Sequence, residues 1–340
     1  MSRWLTSKRP AFGRMLLLGL LLSAGASQGQ TRTIVVCAPS TVDAKCDFSG
    51  NEAIQQSVDS AANGDIILLR KGTFSPIGHR DIPFQDVVIR GYVVIDGKDL
   101  SIQGEEGAVL DGAAGIPSTA FVVRNADVQF RNVDIRNFRW AVEEDKIYDG
   151  HGVFAIDSRV RLRDVTLEKL VKMSLTGRGD TLIDADRIKI LAGHLGVWLE
   201  ESAHAHIRNA LIQGGDSAAV ATYMNASATI HNSVIQGNTD DGLYAKGHSS
   251  IFVTNSILLG NKPYAINAEG KARITVVNSV VHGNALNVNP KVPKEQLILG
   301  KGIIEADPLL DGNFKPRQGS PLIGKTDPDL GRAIGIVEAL

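Results

Sequence analysis

The stretch GNTDDGLYAKG, residues 237–247, holds residue types that proton-transfer chemistry uses. Asp240 and Asp241 are adjacent carboxylates, and Tyr244 and Lys246 follow closely. A carboxylate can act as a general acid or base, while a tyrosine or lysine can donate or accept a second proton. Adjacent aspartates after a Gly-Asn pair are also ordinary turn residues. The elements around the stretch decide between a site and a simple corner.

An internal repeat contains this stretch. Units of the form N-[SA]-x-[IVL]-x-G-[GN] recur at intervals of 23 residues, and short apolar runs separated by Gly, Asn, Asp and Ser fill the spaces between them. Such runs are typical of β-strands. Asp186 falls in the asparagine position one step earlier, and Asp164 does so at a spacing of 22. The repeated asparagines are Asn209, Asn232, Asn255 and Asn278.

A unit of this length with three short strands cannot bury its own apolar face, so the units must stack into one continuous core. The pattern resembles the right-handed parallel β-helix of the pectate-lyase-like superfamily, over roughly residues 65–325. The resemblance implies an all-β, single-stranded solenoid with coils of about 23 residues. It leaves function open, because the superfamily includes lyases, epimerases, hydrolases, phage spikes and adhesins.

The two ends of the chain fit this architecture. Residues 31–64 are expected to form an N-terminal cap with a short amphipathic helix, in which Ile54 and Val58 share one face. Residues 65–305 are expected to form the β-helix. Residues 306–340, rich in Gly, Pro and Asp, resemble the closing segments of exported β-helix proteins.

Residues 1–26 are predicted to be a signal peptide. A basic start precedes the apolar run 15–22 and an A-x-A pattern at Ala24 and Ala26. The run is too short to span a bilayer, although an uncleaved anchor is the alternative. We therefore expect a secreted or periplasmic protein with no membrane span after cleavage. In that compartment Cys37 and Cys46 are predicted to form a local disulfide rather than two free thiols.

The charge balance limits the possible partners. With 36 basic and 37 acidic residues, the chain has no basic excess with which to neutralise nucleic-acid phosphates. The expected partner is a polysaccharide or surface glycan, and the sequence does not indicate an oligomeric state.

The superfamily usually places its saccharide groove on the outside of the first strand of each coil. These strands begin 13 residues before each asparagine, and their alternation predicts which side chains point outward. Outward aromatic rings about 4.8 Å apart can stack against pyranose rings. Ordinary exposed strand side chains are the alternative. The predicted outward stripe is Trp198, Glu200, Ala221, Tyr223, Tyr244, Lys246, Asn267 and Glu269.

An insertion is expected to wall this groove. The step from Asn132 to Asp164 is 32 residues, and the excess falls in residues 137–152, which end in His151. A loop on a rigid scaffold often carries function. A solvated insertion without a role is equally compatible with the sequence.

Three fragments resemble polygalacturonase-like hydrolases: NTDDG (238–242), GHG (150–152) and RIK (187–189). In that family GHG and RIK follow the aspartates, whereas here they precede them. Hydrolysis needs two carboxylates across one glycosidic bond, and His151 would lie several coils from Asp240. A hydrolase is therefore the second alternative.

The leading enzymatic hypothesis is a uronate polysaccharide lyase or C5-epimerase. Its catalytic candidates are Tyr223, Tyr244, Lys246 and Glu269. Its substrate-binding candidates are Trp198, Glu200, Asn267, Asp240, Asp241 and His151.

Calcium is a possible cofactor through Glu200 and Glu269, but no cofactor is certain. The stripe lacks the clustered aspartates and paired Arg and Lys of calcium-dependent pectate lyases, and the chain has no DPHD-like run resembling the alginate epimerases. A non-catalytic surface or envelope β-helix is the first alternative. Buried titratable groups on the stripe would favour an enzyme, whereas a flat aromatic strip without perturbed acids would favour binding.

Overall fold

The computed structural model describes residues 31–41, 45–141, 146–324 and 334–335. The predicted signal peptide, residues 1–26, lies outside these ranges. The same is true of Glu143, Glu144 and Asp145 in the insertion, and of most residues after 324.

The described residues form a parallel β-helix built from three long sheets, here named A, B and C. One coil illustrates the path: Leu195–Leu199 lies in sheet C, His204–Arg208 in sheet A and Leu211–Gln213 in sheet B. The chain then returns to sheet C at Val220–Thr222, beside its previous strand. The all-β fold predicted from the repeat is confirmed.

The strand bounds show the regularity of the stack. Sheet A contains Thr33–Cys37, Phe48–Ser49, Ile66–Leu69, Leu100–Gly104, Asp127–Arg131, Arg159–Arg163, Leu182–Asp186, His204–Arg208, Ser227–His231, Ser250–Thr254, Arg273–Val277 and Leu297–Leu299. Sheet B contains Gly72–Phe74, Ala108–Asp111, Asp134–Arg136, Thr166–Glu168, Lys189–Leu191, Leu211–Gln213, Val234–Gln236, Ile257–Leu259 and Val280–His282. Sheet C contains Arg80–Phe84, Val87–Asp96, Thr119–Arg124, Val153–Ile156, Met173–Arg178, Leu195–Leu199, Val220–Thr222, Leu243–Gly247, Tyr264–Gly270 and Leu286–Val288.

The register of sheet C follows the predicted alternation. Val197 pairs with Val220, and Leu243 pairs with Ile266, so like side chains stack above one another inside the helix. All four are fully buried. Burial of this kind specifies the register strongly, because a slip of one residue would turn every apolar side chain outward.

The asparagine corner needs one correction. Asn209 and Asn232 take positive φ angles of 50° and 48°, a conformation that asparagine tolerates better than most residues. One coil earlier this position belongs to Arg187, with φ 51°, and not to the predicted Asp186. The reason is that strand pairing advances by 22 residues in this coil, as the pair Asp186 and Arg208 shows. Arg187 instead pairs with Asp164, at 2.7 Å from Nε to Oδ1.

Two polar ladders link the later coils. Asn238 donates its Nδ2 to Asn261 Oδ1 at 2.9 Å, and Asn261 donates likewise to Asn284 at 3.1 Å. At a second corner Ser233 N donates to Ser256 Oγ at 3.2 Å, and the next coil repeats this bond. The ladders therefore satisfy buried polar groups along the axis. The repeated corner contributes as well, since Asn209 donates its Nδ2 to Asp186 Oδ1 of the preceding coil at 2.9 Å.

The N-terminal end contains the helix Ala53–Ser60, whose Ile54 and Val58 are buried as predicted. Gln55 ties the helix to sheet C, since its Oε1 accepts a 2.6 Å hydrogen bond from Val94 N. The other helical segment described is the 3₁₀ turn Lys294–Gln296.

Cys37 and Cys46 form the predicted disulfide. A disulfide fits an extracellular or periplasmic protein. Within the ranges that the structure describes, no helix has the length and apolar character needed to cross a membrane.

Segments that the sequence did not predict cover parts of the outer faces of sheets C and B. Arg80–Phe84 pairs antiparallel with the start of Val87–Asp96, and this hairpin packs over the outside of sheet C. Near the other end, Leu322 packs over Val234 and Ile257 on the outside of sheet B.

The asparagine ladder leads to a stability prediction. Asn261→Leu would leave two buried donors of Asn238 without their acceptor. Each unsatisfied buried group costs about 1–3 kcal/mol, so we expect the free energy of unfolding to fall by about 3 kcal/mol in urea titrations. Asn225→Leu, at an exposed turn position, is the control. Equal losses in the two variants would contradict a role for the ladder.

Candidate active site

The outer face of sheet C presents three rows of side chains along the helix axis. Strand pairing places them in register from coil to coil. Row 1 contains His151, Met173, Leu195, Ala218 and Asp241. Row 2 contains Val122, Phe154, Thr176, Trp198, Ala221, Tyr244 and Asn267. Row 3 contains Ile156, Arg178, Glu200, Tyr223, Lys246 and Glu269.

A cleft of about 330 Å³ lies on the later part of these rows. Six of its lining residues were predicted as site residues: Trp198, Tyr223, Asp240, Asp241, Tyr244 and Asn267. Four were missed: His194, Leu195, Ser217 and Ala218. Ser217 and Ala218 lie exactly one repeat before Asp240 and Asp241, and His194 and Leu195 lie one repeat earlier still. Extending the repeat backwards from the two aspartates would have found them.

The aromatic side chains of the stripe contact one another at the mouth of the cleft. The rings of Trp198 and Tyr223 stack at 4.2 Å between centroids with planes 22° apart, and Tyr244 lies 5.6 Å from Tyr223. Trp198 Nε1 donates to Glu200 Oε2 at 3.1 Å, which fixes the indole orientation. Ala221 lies in row 2 on the same outer face and is fully buried among these rings. All three aromatic side chains remain partly exposed.

Asp241 is the buried acid of the cleft, with only 4% of its surface exposed. Asn267 Nδ2 donates to its Oδ2 at 2.6 Å, and Asn289 Nδ2 in turn donates to Asn267 Oδ1 at 2.9 Å. Among the described residues, Oδ1 of Asp241 has no hydrogen-bond partner. Burial raises the pKa of Asp241 to about 6, partly opposed by the Asn267 hydrogen bond and reinforced by the charges of Asp240 and Glu269. Asp241 is therefore a titratable group in the cleft as well as a turn residue.

The two tyrosines beside it hold their protons. Burial raises the pKa of Tyr223 to about 12, and the nearby charges of Glu200, Asp240 and Glu269 add to the effect. Burial also raises the pKa of Tyr244 above its ordinary value, and a hydrogen bond to Glu269 acts in the same direction. Both side chains therefore remain protonated at neutral pH.

The charged residues of row 3 are joined in pairs. Lys246 Nζ lies 3.2 Å from Glu269 Oε2. Glu200 pairs with Arg178, whose Nη1 lies 3.1 Å from Glu200 Oε2. The sequence analysis missed Arg178, because its register began at residue 196. Carrying the register back by the 22-residue coil places Arg178 directly before Glu200.

His151 does not join the cleft. It belongs to row 1 but lies four coils from Asp241, about 19 Å at roughly 4.8 Å per coil. It is fully buried, its ring packs 4.6 Å from that of Tyr148, and its Nδ1 lies 3.2 Å from Thr176 Oγ1. Burial lowers the pKa of His151 to about 3, helped by Lys172 and Arg178, so the ring is neutral.

These facts correct the prediction that His151 binds substrate on an exposed groove wall. They also show that the fragments around His151 and Asp240 do not assemble into one hydrolase centre. The cause is the fixed height of each coil. His151 and Asp241 are four coils apart in row 1, so their side chains cannot meet.

The predicted calcium ligands do not fit a calcium ion. Ca²⁺ takes six to eight oxygen ligands, whereas Glu200 and Glu269 are held in ion pairs with Arg178 and Lys246. Within the part of the chain that the structure describes, no three His, Cys, Asp or Glu side chains are grouped to hold a metal ion.

Sequence comparison identifies the fold family. A profile described as "Right handed beta helix region" matches residues 118–305, more than half of the chain. The chain belongs to the right-handed β-helix family. No curated protein sequence matches the chain significantly.

Solved structures resemble the chain in three dimensions. Pectate lyase Pel9A matches with a TM-score of 0.57 and 14% identity, over 82% of this chain and 78% of that chain. The A-module of the Azotobacter vinelandii mannuronan C-5 epimerase AlgE4 matches with a TM-score of 0.48 and 15% identity, over 70% and 69%. At these identities the likeness concerns the fold and not the chemistry.

The raised pKa of Asp241 predicts a pH-dependent stability. Between pH 4 and 6 the folded protein keeps a proton that the unfolded chain has released, so the free energy of unfolding falls as the pH rises through this window. Asp241→Asn removes the effect. Relative to the wild type, the variant should gain on the order of 2 kcal/mol between pH 4 and pH 7 in urea unfolding.

The exposed neighbour supplies the control for this measurement. Asp240→Asn should keep the fall in stability and move it slightly towards lower pH, because the charge of Asp240 adds to the raised pKa of Asp241. Parallel curves for the wild type and Asp241→Asn would show that Asp241 is not a perturbed acid.

Proposed function

We propose that this right-handed β-helix protein modifies a polysaccharide by proton transfer in the cleft on sheet C. One observation carries the proposal: Asp241 is buried, has a pKa of about 6, and lines the same cleft as Tyr244 and the stacked rings of Trp198 and Tyr223. A perturbed acid in a cleft favours catalysis over simple binding. A general base is most effective when its pKa lies near the working pH.

The reaction class that we favour is β-elimination or C5 epimerisation of a uronate. Asp241, the buried carboxyl group with a raised pKa that lines the cleft, takes the C5 proton. In elimination, the electrons of the C5–H bond form the C4=C5 double bond, the C4–O4 bond breaks, and O4 leaves with the proton of Tyr244. In epimerisation, a tyrosine returns a proton to C5 from the opposite face.

The remaining stripe residues receive roles that match their contacts. Trp198 and Tyr223 hold a pyranose ring by stacking. Lys246, now paired with Glu269, exchanges that partner for the substrate carboxylate and lowers the cost of charge at C5. Pectate lyase Pel9A, which shares the fold, is named for an activity of this class.

We further propose that the protein acts outside the cytoplasm. The disulfide between Cys37 and Cys46 supports this location, and the predicted signal peptide at residues 1–26 is consistent with it.

Non-catalytic glycan binding is the second candidate function. It is favoured by the ion pairs of row 3, which occupy Lys246, Glu269 and Glu200 in the free protein. In that case the aromatic stack alone would provide the affinity, and Asp241 would accept a hydrogen bond from a sugar hydroxyl when ionised.

An activity assay tests the proposal. Pectate, alginate and glycosaminoglycans are incubated with the protein, with and without Ca²⁺, and unsaturated uronates are followed by ultraviolet absorbance. Exchange of the C5 proton with deuterated solvent reports epimerisation. We expect Asp241→Asn to lower the rate by at least about 100-fold, as loss of a general base does.

Binding measurements on the same panel separate the candidates. Trp198→Ala should weaken binding, whereas Phe252→Ala, which removes an exposed aromatic ring from sheet A, should not. Binding without turnover would support the second candidate. New reducing ends without unsaturated product would indicate hydrolysis. Neither binding nor turnover with any polymer would overturn both saccharide functions.

A further inference from the structure

The outer face of sheet C is covered at one end and accessible at the other. In row 2, Val122 and Phe154 are fully buried beneath the hairpin formed by Arg80–Phe84 and the start of Val87–Asp96. The insertion reinforces this cover, because Tyr148 N donates to Val88 O at 2.9 Å. Trp198, two coils after Phe154, is the first large side chain of row 2 that borders the cleft.

The hairpin tip is attached directly to the coils of the site. The ring of Phe84 lies 4.9 Å from Cζ of Arg178, the cation that pairs with Glu200. Gln85, at the turn with φ 55°, donates its Nε2 to Glu201 Oε1 at 3.0 Å. These contacts hold the tip of the hairpin against the coil that carries Trp198.

Side-chain exposure along row 3 shows the same asymmetry. Arg178 is 10% exposed and Glu200 18%, whereas Lys246 is 53% and Glu269 47% exposed. The surface thus opens progressively from the hairpin towards the later coils. Leu286, on the last strand of sheet C, is half exposed.

We propose that the hairpin makes the cleft blind at the Trp198 end, so that it receives the end of a polysaccharide chain rather than an internal stretch. The inference rests on the proposed saccharide site. From Trp198 to Asn267 the cleft spans three coil steps, about 14 Å at roughly 4.8 Å each. That length holds only a few pyranose rings, and the chain leaves over Lys246 and Glu269.

Polar groups at the blind end suit a chain terminus. Glu200 accepts from Trp198 Nε1 and pairs with Arg178, so a carboxylate and a guanidinium lie together where a substrate would stop. A terminal ring carries a free hydroxyl where an internal ring carries a glycosidic bond. Such a hydroxyl can hydrogen-bond to Glu200, whereas a continuing chain would collide with Phe84.

The experiment compares free and blocked chain ends. Oligogalacturonates and oligomannuronates of increasing length are titrated against the full protein by calorimetry, next to polymers of the same sugars with one or both termini capped. We expect affinity to stop rising after a few rings. Capping the terminus that enters the cleft should weaken binding by more than about tenfold, which corresponds to about 1.4 kcal/mol.

Variants of the hairpin test whether it causes the preference for chain ends. Phe84→Ala and Gln85→Gly should each raise binding of the fully capped polymers, and glycine accepts the positive φ at position 85 without strain. Ile77→Ala, at an exposed position before the hairpin, is the control. Circular dichroism and thermal unfolding confirm that each variant keeps the fold.

The outcomes separate the two ideas. Equal binding of capped and free chains by the wild type would overturn the chain-end inference and leave the saccharide site standing. Failure of both hairpin variants to raise binding of the fully capped polymers would overturn the role of the hairpin. No binding of any probe would overturn the proposed function, and the chain-end inference with it.

Discussion

The structure depends on the fixed register between successive coils. From Val153–Ile156 onwards, each strand of sheet C pairs in parallel with the strand 22 or 23 residues later, so every paired side chain has a neighbour about 4.8 Å away along the axis. Inward apolar residues such as Val197 and Leu243 hold this register, because a slip would expose them. The site inherits its geometry from that constraint, since Trp198, Tyr223 and Tyr244 meet only because their coils are adjacent.

The electrostatics of the site follow from position within the stack. Asp241 lies at a corner that the next coil covers through Asn267, so it loses water and holds its proton to a higher pH. Glu269 and Lys246 lie on the open surface, where solvent and their mutual ion pair stabilise both charges. The outer face of sheet C therefore combines a buried acid of raised pKa with an exposed ion pair.

The sequence predicts the parts that repeat and fails where the repeat changes. The repeating strands of sheet C and the placement of Trp198, Tyr244 and Asn267 follow from constant spacing and alternation. The disulfide follows from two nearby cysteines in a chain expected to be exported. The sequence does not predict that Arg187, rather than Asp186, occupies the repeated corner position, because that coil is one residue shorter than the others in the repeat. Neither the hairpin nor the burial of His151 could be read from the pattern, since both come from long-range packing between segments that share no periodicity. The raised pKa of Asp241 likewise depends on a cover supplied by another coil.

The asparagine and serine ladders have a consequence for how such a protein changes in evolution. Every rung receives its hydrogen bond from the preceding coil and passes an equivalent one to the next, so neighbouring coils between residues 232 and 284 are interchangeable at their contacts. Duplication or deletion of one whole coil would preserve all of these bonds. It would lengthen or shorten the outer surface by about 4.8 Å without disturbing the hairpin end. The length of the β-helix can therefore change in steps of one coil.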